Sequence, residues 1–258
     1  MNVPNILKAR LRHALAKRGL SLGRVDELTK LADEFGSDKG TLFDSHGYAR
    51  IYGNLFEPLR NENLILVEIG LHRPESDNRR VRNAVEGTTT ASAARAPSLE
   101  MWHKYFPRAR IFGFDIDDFS AVHVGNCTVI RGDMSSEKDL QRLQTTVGEP
   151  IDILIDDASH SSHHQQVALG YLFPYLRSGG FYVIEDLHWQ DEITERKDVP
   201  KTRDILRRLQ INGTLESPFI SGERQIYLQD NVASVLLFDS MTKKVADSSD
   251  ALGILVKK

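Results

Sequence analysis

A single cysteine, Cys127, stands in the 258 residues, so no intrachain disulfide can form and the core must hold the fold. Its setting, Cys127-Thr-Val-Ile130, is that of a buried small hydrophobe, and the chain suits a reducing, cytoplasmic environment. No run approaches the ~18 uninterrupted apolar residues of a membrane-spanning helix. The N-terminus lacks the apolar centre and small-residue cleavage site of a secretory leader, so neither secretion nor membrane insertion is expected. Positive charge is not in excess: the net charge of −3 argues against a general nucleic-acid binder, which needs a phosphate-neutralising field. With 40% apolar and 27% charged residues, the composition is that of one α/β domain with additions.

Charge is unevenly placed at the start. Lys8, Arg10, Arg12, Lys17, Arg18 and Arg24 precede the first acid, Asp26, while Ile6, Leu7, Leu11 and Leu15 recur at roughly helical spacing. This reads as a solvated basic helix packing on the domain or on another subunit of a homo-oligomer, with a targeting or membrane-surface helix as the alternative. Residues 1–60 form an expected N-terminal helical extension, with helices over Asp26–Phe35 and Ala49–Leu59, and residues 61–258 the main domain.

Within that domain, short β-branched apolar runs alternate with helical stretches, the pattern of a doubly wound parallel sheet. The expected strands are Asn63–Gly70, Ala109–Asp115, Cys127–Arg131, Ile151–Asp156 and Phe181–Glu185. Helices are expected from Ser98, read as an N-cap, to Tyr105, from Ser135 or Ser136 to Thr145, over Ser161–Leu176 and over Lys201–Ile211. Arg224–Leu228 and Ala233–Phe238 read as an antiparallel pair at the sheet edge, and Asp250–Lys258 as a further strand. Residues 71–97 form a long polar insertion, expected to act as a lid.

The most informative stretch is Ile151-Asp-Ile-Leu-Ile-Asp-Asp-Ala-Ser-His160, taken with Tyr182-Val-Ile-Glu-Asp186. Two strands joined by a crossover helix bring Asp156, Asp157, His160, Glu185 and Asp186 to the carboxyl edge of the sheet, where open α/β sheets bind ligands. Acids so close cannot all stay ionised without a proton or a cation, and a divalent metal is the simplest remedy. A dinucleotide fold would place G-x-G-x-x-G after the first strand, but only Gly70 is present and the next strand-ending acid, Asp115, lies far downstream. Acids at the ends of the first three strands suit S-adenosylmethionine instead. Asp115 can take the ribose hydroxyls, Asp133 the adenine amino group, and the turn at Gly70 leaves room for the methionine part.

Leu31-Ala-Asp-Glu-Phe-Gly-Ser-Asp-Lys-Gly40, His46, Tyr48, Tyr52, Val67-Glu-Ile-Gly70, Ser98-Leu-Glu-Met-Trp102, Tyr105-Phe-Pro107, Ile111-Phe-Gly-Phe-Asp115, Ile155-Asp-Asp-Ala-Ser-His160 and Val183-Ile-Glu-Asp186 carry a resemblance. Over roughly residues 27–240 the chain resembles the class I S-adenosylmethionine-dependent methyltransferases that O-methylate sugars on macrolides, as in the mycinamicin pathway. The resemblance implies a Rossmann-like seven-stranded sheet, Mg²⁺ held by Asp157, Glu185 and Asp186, and His160 as general base. Glu68, Gly70, Ser98, Asp115, Asp133 and Asp156 are the residues expected around the cofactor. The acceptor is expected to be a hydroxyl of a sugar or another polyhydroxylated small molecule.

A set of three carboxylates suits Mg²⁺ rather than zinc, and an imidazole titrating near neutrality suits proton removal from a metal-bound hydroxyl. Two alternatives stand beside this reading. The family's glycine-rich turn is replaced by Leu71-His-Arg-Pro74, which is compatible with a cofactor-binding protein of altered or lost turnover. His160 and His163 with Asp157 would instead make the two-His, one-carboxylate set of a metal-dependent hydroxylase.

Overall fold

The computed structural model describes residues 25–42, 47–71, 95–190, 194–239 and 251–258. The basic N-terminal stretch, His46 and residues 72–94 of the polar insertion lie outside them.

Strands β1 (Ile65–Ile69), β2 (Arg110–Asp115), β3 (Cys127–Arg131), β4 (Ile151–Asp156) and β5 (Leu176–Ile184) pair in parallel in the spatial order β3-β2-β1-β4-β5. β6 (Val232–Phe238) and β7 (Leu252–Lys257) complete a seven-stranded sheet, with β7 antiparallel to both β5 and β6. Central strands β1 and β4 are buried along their whole length, which is why they read as unbroken apolar runs rather than as an alternation.

Helices cover both faces. On one lie α1 (Glu27–Phe35), α2 (Ala49–Phe56) and α3 (Pro97–Tyr105), whose Leu28, Tyr52, Phe56, Leu99 and Trp102 pack with Leu66, Ile153, Ile155 and Val183 of the sheet. On the other lie α4 (Glu137–Val147), α5 (Ser162–Leu172), α6 (Thr202–Asn212) and α7 (Gly222–Asn231), packed on Val67, Ile69, Leu154, Tyr182 and Ile184. The helices of the N-terminal region thus share a core with the sheet. Local signals set their ends: Asp26 accepts from the Thr29 amide at the start of α1, and Gly36 closes it with a left-handed φ of 76°.

Three expectations need correction. Arg224–Leu228 is helix, not strand: it lies inside α7, whose N-cap Ser221 accepts from the Arg224 amide, and the partner of β6 is β7. The run Ile226-Tyr-Leu228 is too short for periodicity to separate helix from strand. Ser98 is not the cap of α3, because Pro97 already occupies the first turn and Ala96 stands at the cap position. Cys127, at the start of β3, is half-buried rather than fully enclosed, though burial still pushes its thiol up to about 12.

Candidate active site

Strand alternation decides which acids meet. Glu68 shares its face of β1 with Leu66, and Asp157 and Glu185 continue the faces of Ile155 and Val183, so all three point to the side covered by α1–α3. The ladder extends one residue beyond each strand: the Asp157 amide donates to Ile69 O at 2.8 Å, and the Glu185 amide to Asp156 O at 2.9 Å. Gly70 allows this close approach. At its φ of +90°, a Cβ would lie 2.1 Å from the Asp157 carbonyl oxygen.

Asp156 takes the opposite face, with Leu154 and Ile184, and is only 1% exposed. Burial pushes its carboxyl up to about 7, with the Ala158 amide opposing.

Two backbone positions past the strand ends are unusual. His160 and Asp186 have φ of 56° and 52°, the only non-glycine residues with positive φ among those described. Such conformations cost on the order of 1–3 kcal/mol each and collect where function over-determines the geometry. The two turns bring their side chains together. Asp157, His160 and Asp186 each offer one ligand atom, and these atoms lie within 4.8 Å of one another. His160 Nε2 is 3.8 Å from Asp186 Oδ2, and the Trp189 ring meets the imidazole edge-on at 5.4 Å.

The helical side of the site supplies hydroxyls and a cation. Tyr48 donates to Asp186 Oδ1 at 2.8 Å, and Tyr52 donates to Glu185 Oε1 at 2.6 Å. Lys39, in the connection between α1 and α2, donates to Asp157 Oδ2 and lies 2.9 Å from Glu185 Oε1 and 3.4 Å from Glu68 Oε1. Glu68 also accepts from Ser98 Oγ at 2.6 Å and from the Trp102 indole at 3.2 Å.

Burial alone would lower the Lys39 pKa, but Asp157, Glu185 and Glu68 outweigh it and hold the pKa well above the ordinary value. Burial first, then the charge of Glu185 on Asp157 and those of Asp38 and Asp186 on both, raises Asp157 and Glu185 above the carboxylate range although Lys39 opposes it. Desolvated acids that gain protons when one ammonium is their main counter-charge are suited to a further cation. The predominantly oxygen donors suit a hard divalent ion such as Mg²⁺ or Mn²⁺.

Of the residues singled out from sequence, Asp157, His160 and Asp186 come together in a group that could hold a metal ion. Glu185 adjoins it, with Oε1 engaged by Lys39 and Tyr52. Asp115 accepts from the Leu71 amide at 2.6 Å and the Asp117 amide at 2.7 Å, and Asp133 accepts from Ser135 N and Oγ at 2.8 and 2.7 Å. His163 is not in the group. Its ring lies 4.0 Å from that of His164 and 5.7 Å from that of Phe219, so the described residues do not assemble the two-His, one-carboxylate set. The sequence reading missed the contacts of Lys39 with Glu68, Asp157 and Glu185. Its only trace was a lysine inside the Gly36-Ser-Asp-Lys-Gly40 turn.

The 8-demethyl-8-alpha-L-rhamnosyl tetracenomycin-C 2'-O-methyltransferase of Streptomyces olivaceus is 37% identical over 163 residues, 63% of this chain and 38% of that protein. The mycinamicin VI 2''-O-methyltransferase of Micromonospora griseorubida is 32% identical over 164 residues, 64% of this chain and 37% of that protein. Over this segment the chain is similar to sugar O-methyltransferases. Its fold agrees: the MycE methyltransferase of mycinamycin biosynthesis, solved with Mg and SAH, superposes with a TM-score of 0.65 at 26% identity, over 91% of this chain and 55% of that one. The sheet is the Rossmann-like methyltransferase sheet. No protein-family model matches the chain. The matched segment spans less than two fifths of these curated relatives.

Proposed function

We propose that the protein is an S-adenosylmethionine- and Mg²⁺-dependent O-methyltransferase acting on a hydroxyl of a sugar or another polyhydroxylated small molecule. The observation that carries this reading is the convergence of Asp157, His160 and Asp186 within 4.8 Å at the carboxyl edge of the sheet. The sugar methylation named for the relatives, and the Mg and SAH in the MycE structure, support the acceptor class and the cofactors.

Asp157 and Asp186 would hold the divalent ion, with Glu185 as the adjoining third carboxylate. When bound, such an ion lowers the pKa of a coordinated alcohol. The methyl group would come from the sulfonium cofactor. His160 would take the acceptor's proton, a role supported by its Nε2 lying 3.8 Å from Asp186 Oδ2. Tyr48 and Tyr52 fix the carboxylates of Asp186 and Glu185 through their hydroxyls, so these acids need little reordering. Gly70, Asp115 and Asp133, at the ends of adjacent strands, would border the cofactor, and Glu68, Ser98 and Asp156 would support that rim. A cytoplasmic setting and self-association complete the proposal, the former supported by the single free cysteine.

Calorimetry with S-adenosylmethionine, with and without Mg²⁺, and transfer of a labelled methyl group to a deoxysugar glycoside test this reading. Asp157→Asn is expected to abolish metal-dependent transfer while leaving the fold intact by circular dichroism. Transfer that survives chelation would overturn the metal's role. Cofactor binding with no transfer to any hydroxylated acceptor would favour a protein of lost turnover.

A further inference from the structure

We propose that Lys39 is a positioning residue: the site's built-in cation, which holds the buried acids of three neighbouring strands together and sets how tightly a divalent ion binds. The inference rests on the metal reading above but concerns a group outside the metal's ligand set.

Lys39 is 1% exposed and is the only buried lysine among the described residues. Its ammonium contacts Glu68 of β1, Asp157 beyond β4 and Glu185 beyond β5, so one side chain ties the carboxyl ends of the three central strands. The backbone beneath it is anchored. The Lys39 carbonyl accepts from the Ala49 amide at 2.9 Å, at the start of α2, and the Lys39 amide donates to Ser37 Oγ at 3.3 Å. A lysine held at both ends of its reach is a fixed charge rather than a wandering counter-ion.

Three carboxylates, those of Glu68, Asp157 and Glu185, contact this single ammonium, Asp38 adds further negative charge beside it, and the two tyrosine hydroxyls hold Asp186 and Glu185. Asp157 is where the two cations meet: its Oδ2 is bound by Lys39, and the same carboxylate belongs to the group able to hold a metal. An ammonium that shares a carboxylate with a divalent ion both repels the ion and withdraws charge from its ligand. Lys39 therefore pre-assembles the site at the expense of affinity, which keeps the metal exchangeable.

Manganese is the probe. Mn²⁺ binding to the full chain, read by the loss of its free electron paramagnetic resonance signal, is compared for wild type, Lys39→Met and Lys39→Arg. Lys39→Met is expected to bind Mn²⁺ about tenfold more tightly or better, with Lys39→Arg close to wild type. In chelator Lys39→Met should melt at a lower temperature, and Mn²⁺ should restore it by more than it shifts wild type. Equal or weaker Mn²⁺ binding by folded Lys39→Met overturns the proposal. If that variant does not fold, lysine-selective ¹⁵N resonance spectra of wild type decide. The buried, slowly exchanging ammonium should shift on addition of Mg²⁺, and an unmoved signal overturns the inference. Failure of every form to bind Mn²⁺ overturns the metal reading and this inference together, a different result from one in which Mn²⁺ binds and ignores Lys39.

Discussion

Asp156 and Asp157 are adjacent acids that the fold sends to opposite faces, so replacing each by asparagine should have opposite consequences. Asp156 ends β4 beneath α5, where burial lifts its carboxyl to about 7 while the Ala158 amide only partly opposes. An acid whose folded pKa is raised contributes stability that is complete below its unfolded pKa and is lost as pH climbs through the folded value. A rise from the ordinary carboxyl range to about 7 is equivalent to about 4 kcal/mol, an upper figure that is fully lost only above pH 7.

Asp156→Asn removes the ionisation while keeping the shape. Its stability gain over wild type should be larger at about pH 8 than at about pH 5, by up to about 3 kcal/mol. Urea unfolding in chelator at the two pH values measures this, and Mn²⁺ binding supplies the functional contrast. Asp156→Asn should retain the metal site that Asp157→Asn loses. A gain that does not grow with pH, or loss of Mn²⁺ binding by Asp156→Asn, would refute the assignment of these two acids to opposite faces.

Gly70→Ala would bring a Cβ within 2.1 Å of the Asp157 carbonyl at a φ of +90°, so the turn must shift and carry Asp157 with it. The expected outcome is a loss of at least about 2 kcal/mol by thermal unfolding, together with weakened Mn²⁺ binding even where the variant is folded. Tyr52→Phe deletes the hydroxyl that donates to Glu185 at 2.6 Å and leaves a buried carboxylate one donor short. It should cost about 1–3 kcal/mol in urea unfolding, and a neutral result would show that Lys39 alone satisfies Glu185.

The sheet was legible where burial writes itself into composition. β1 and β4 are enclosed on both sides, and their unbroken apolar runs, with the buried end of β5, located the carboxyl edge and hence Asp157, Glu185 and Asp186. The antiparallel edge was less legible. β6 is only partly buried, and the short run Ile226-Tyr-Leu228 fits either period, so the helix there was missed. The overlooked signal was Ser221-Gly-Glu223, an N-cap followed by an acid in the first turn. Pro97 likewise outranked Ser98 as the mark of a helix start, which freed the Ser98 hydroxyl to reach Glu68.

Lys39 was invisible for a different reason. It meets Asp157 across 118 residues of chain, and neither periodicity nor capping carries information about contacts of that span. In the turn after α1 its neighbours are Gly36, Ser37, Asp38 and Gly40, the company of a solvated loop residue. An isolated carboxylate is costly to bury, yet Glu68 is fully enclosed and Asp157 and Glu185 nearly so. Acids buried at three adjacent strand ends therefore demand a cation from somewhere in the chain, and each further acid on the same face strengthens that demand. The alternation of β1, β4 and β5 was enough to state the requirement; identifying the lysine that meets it took the packing of α1 and α2 against the same face.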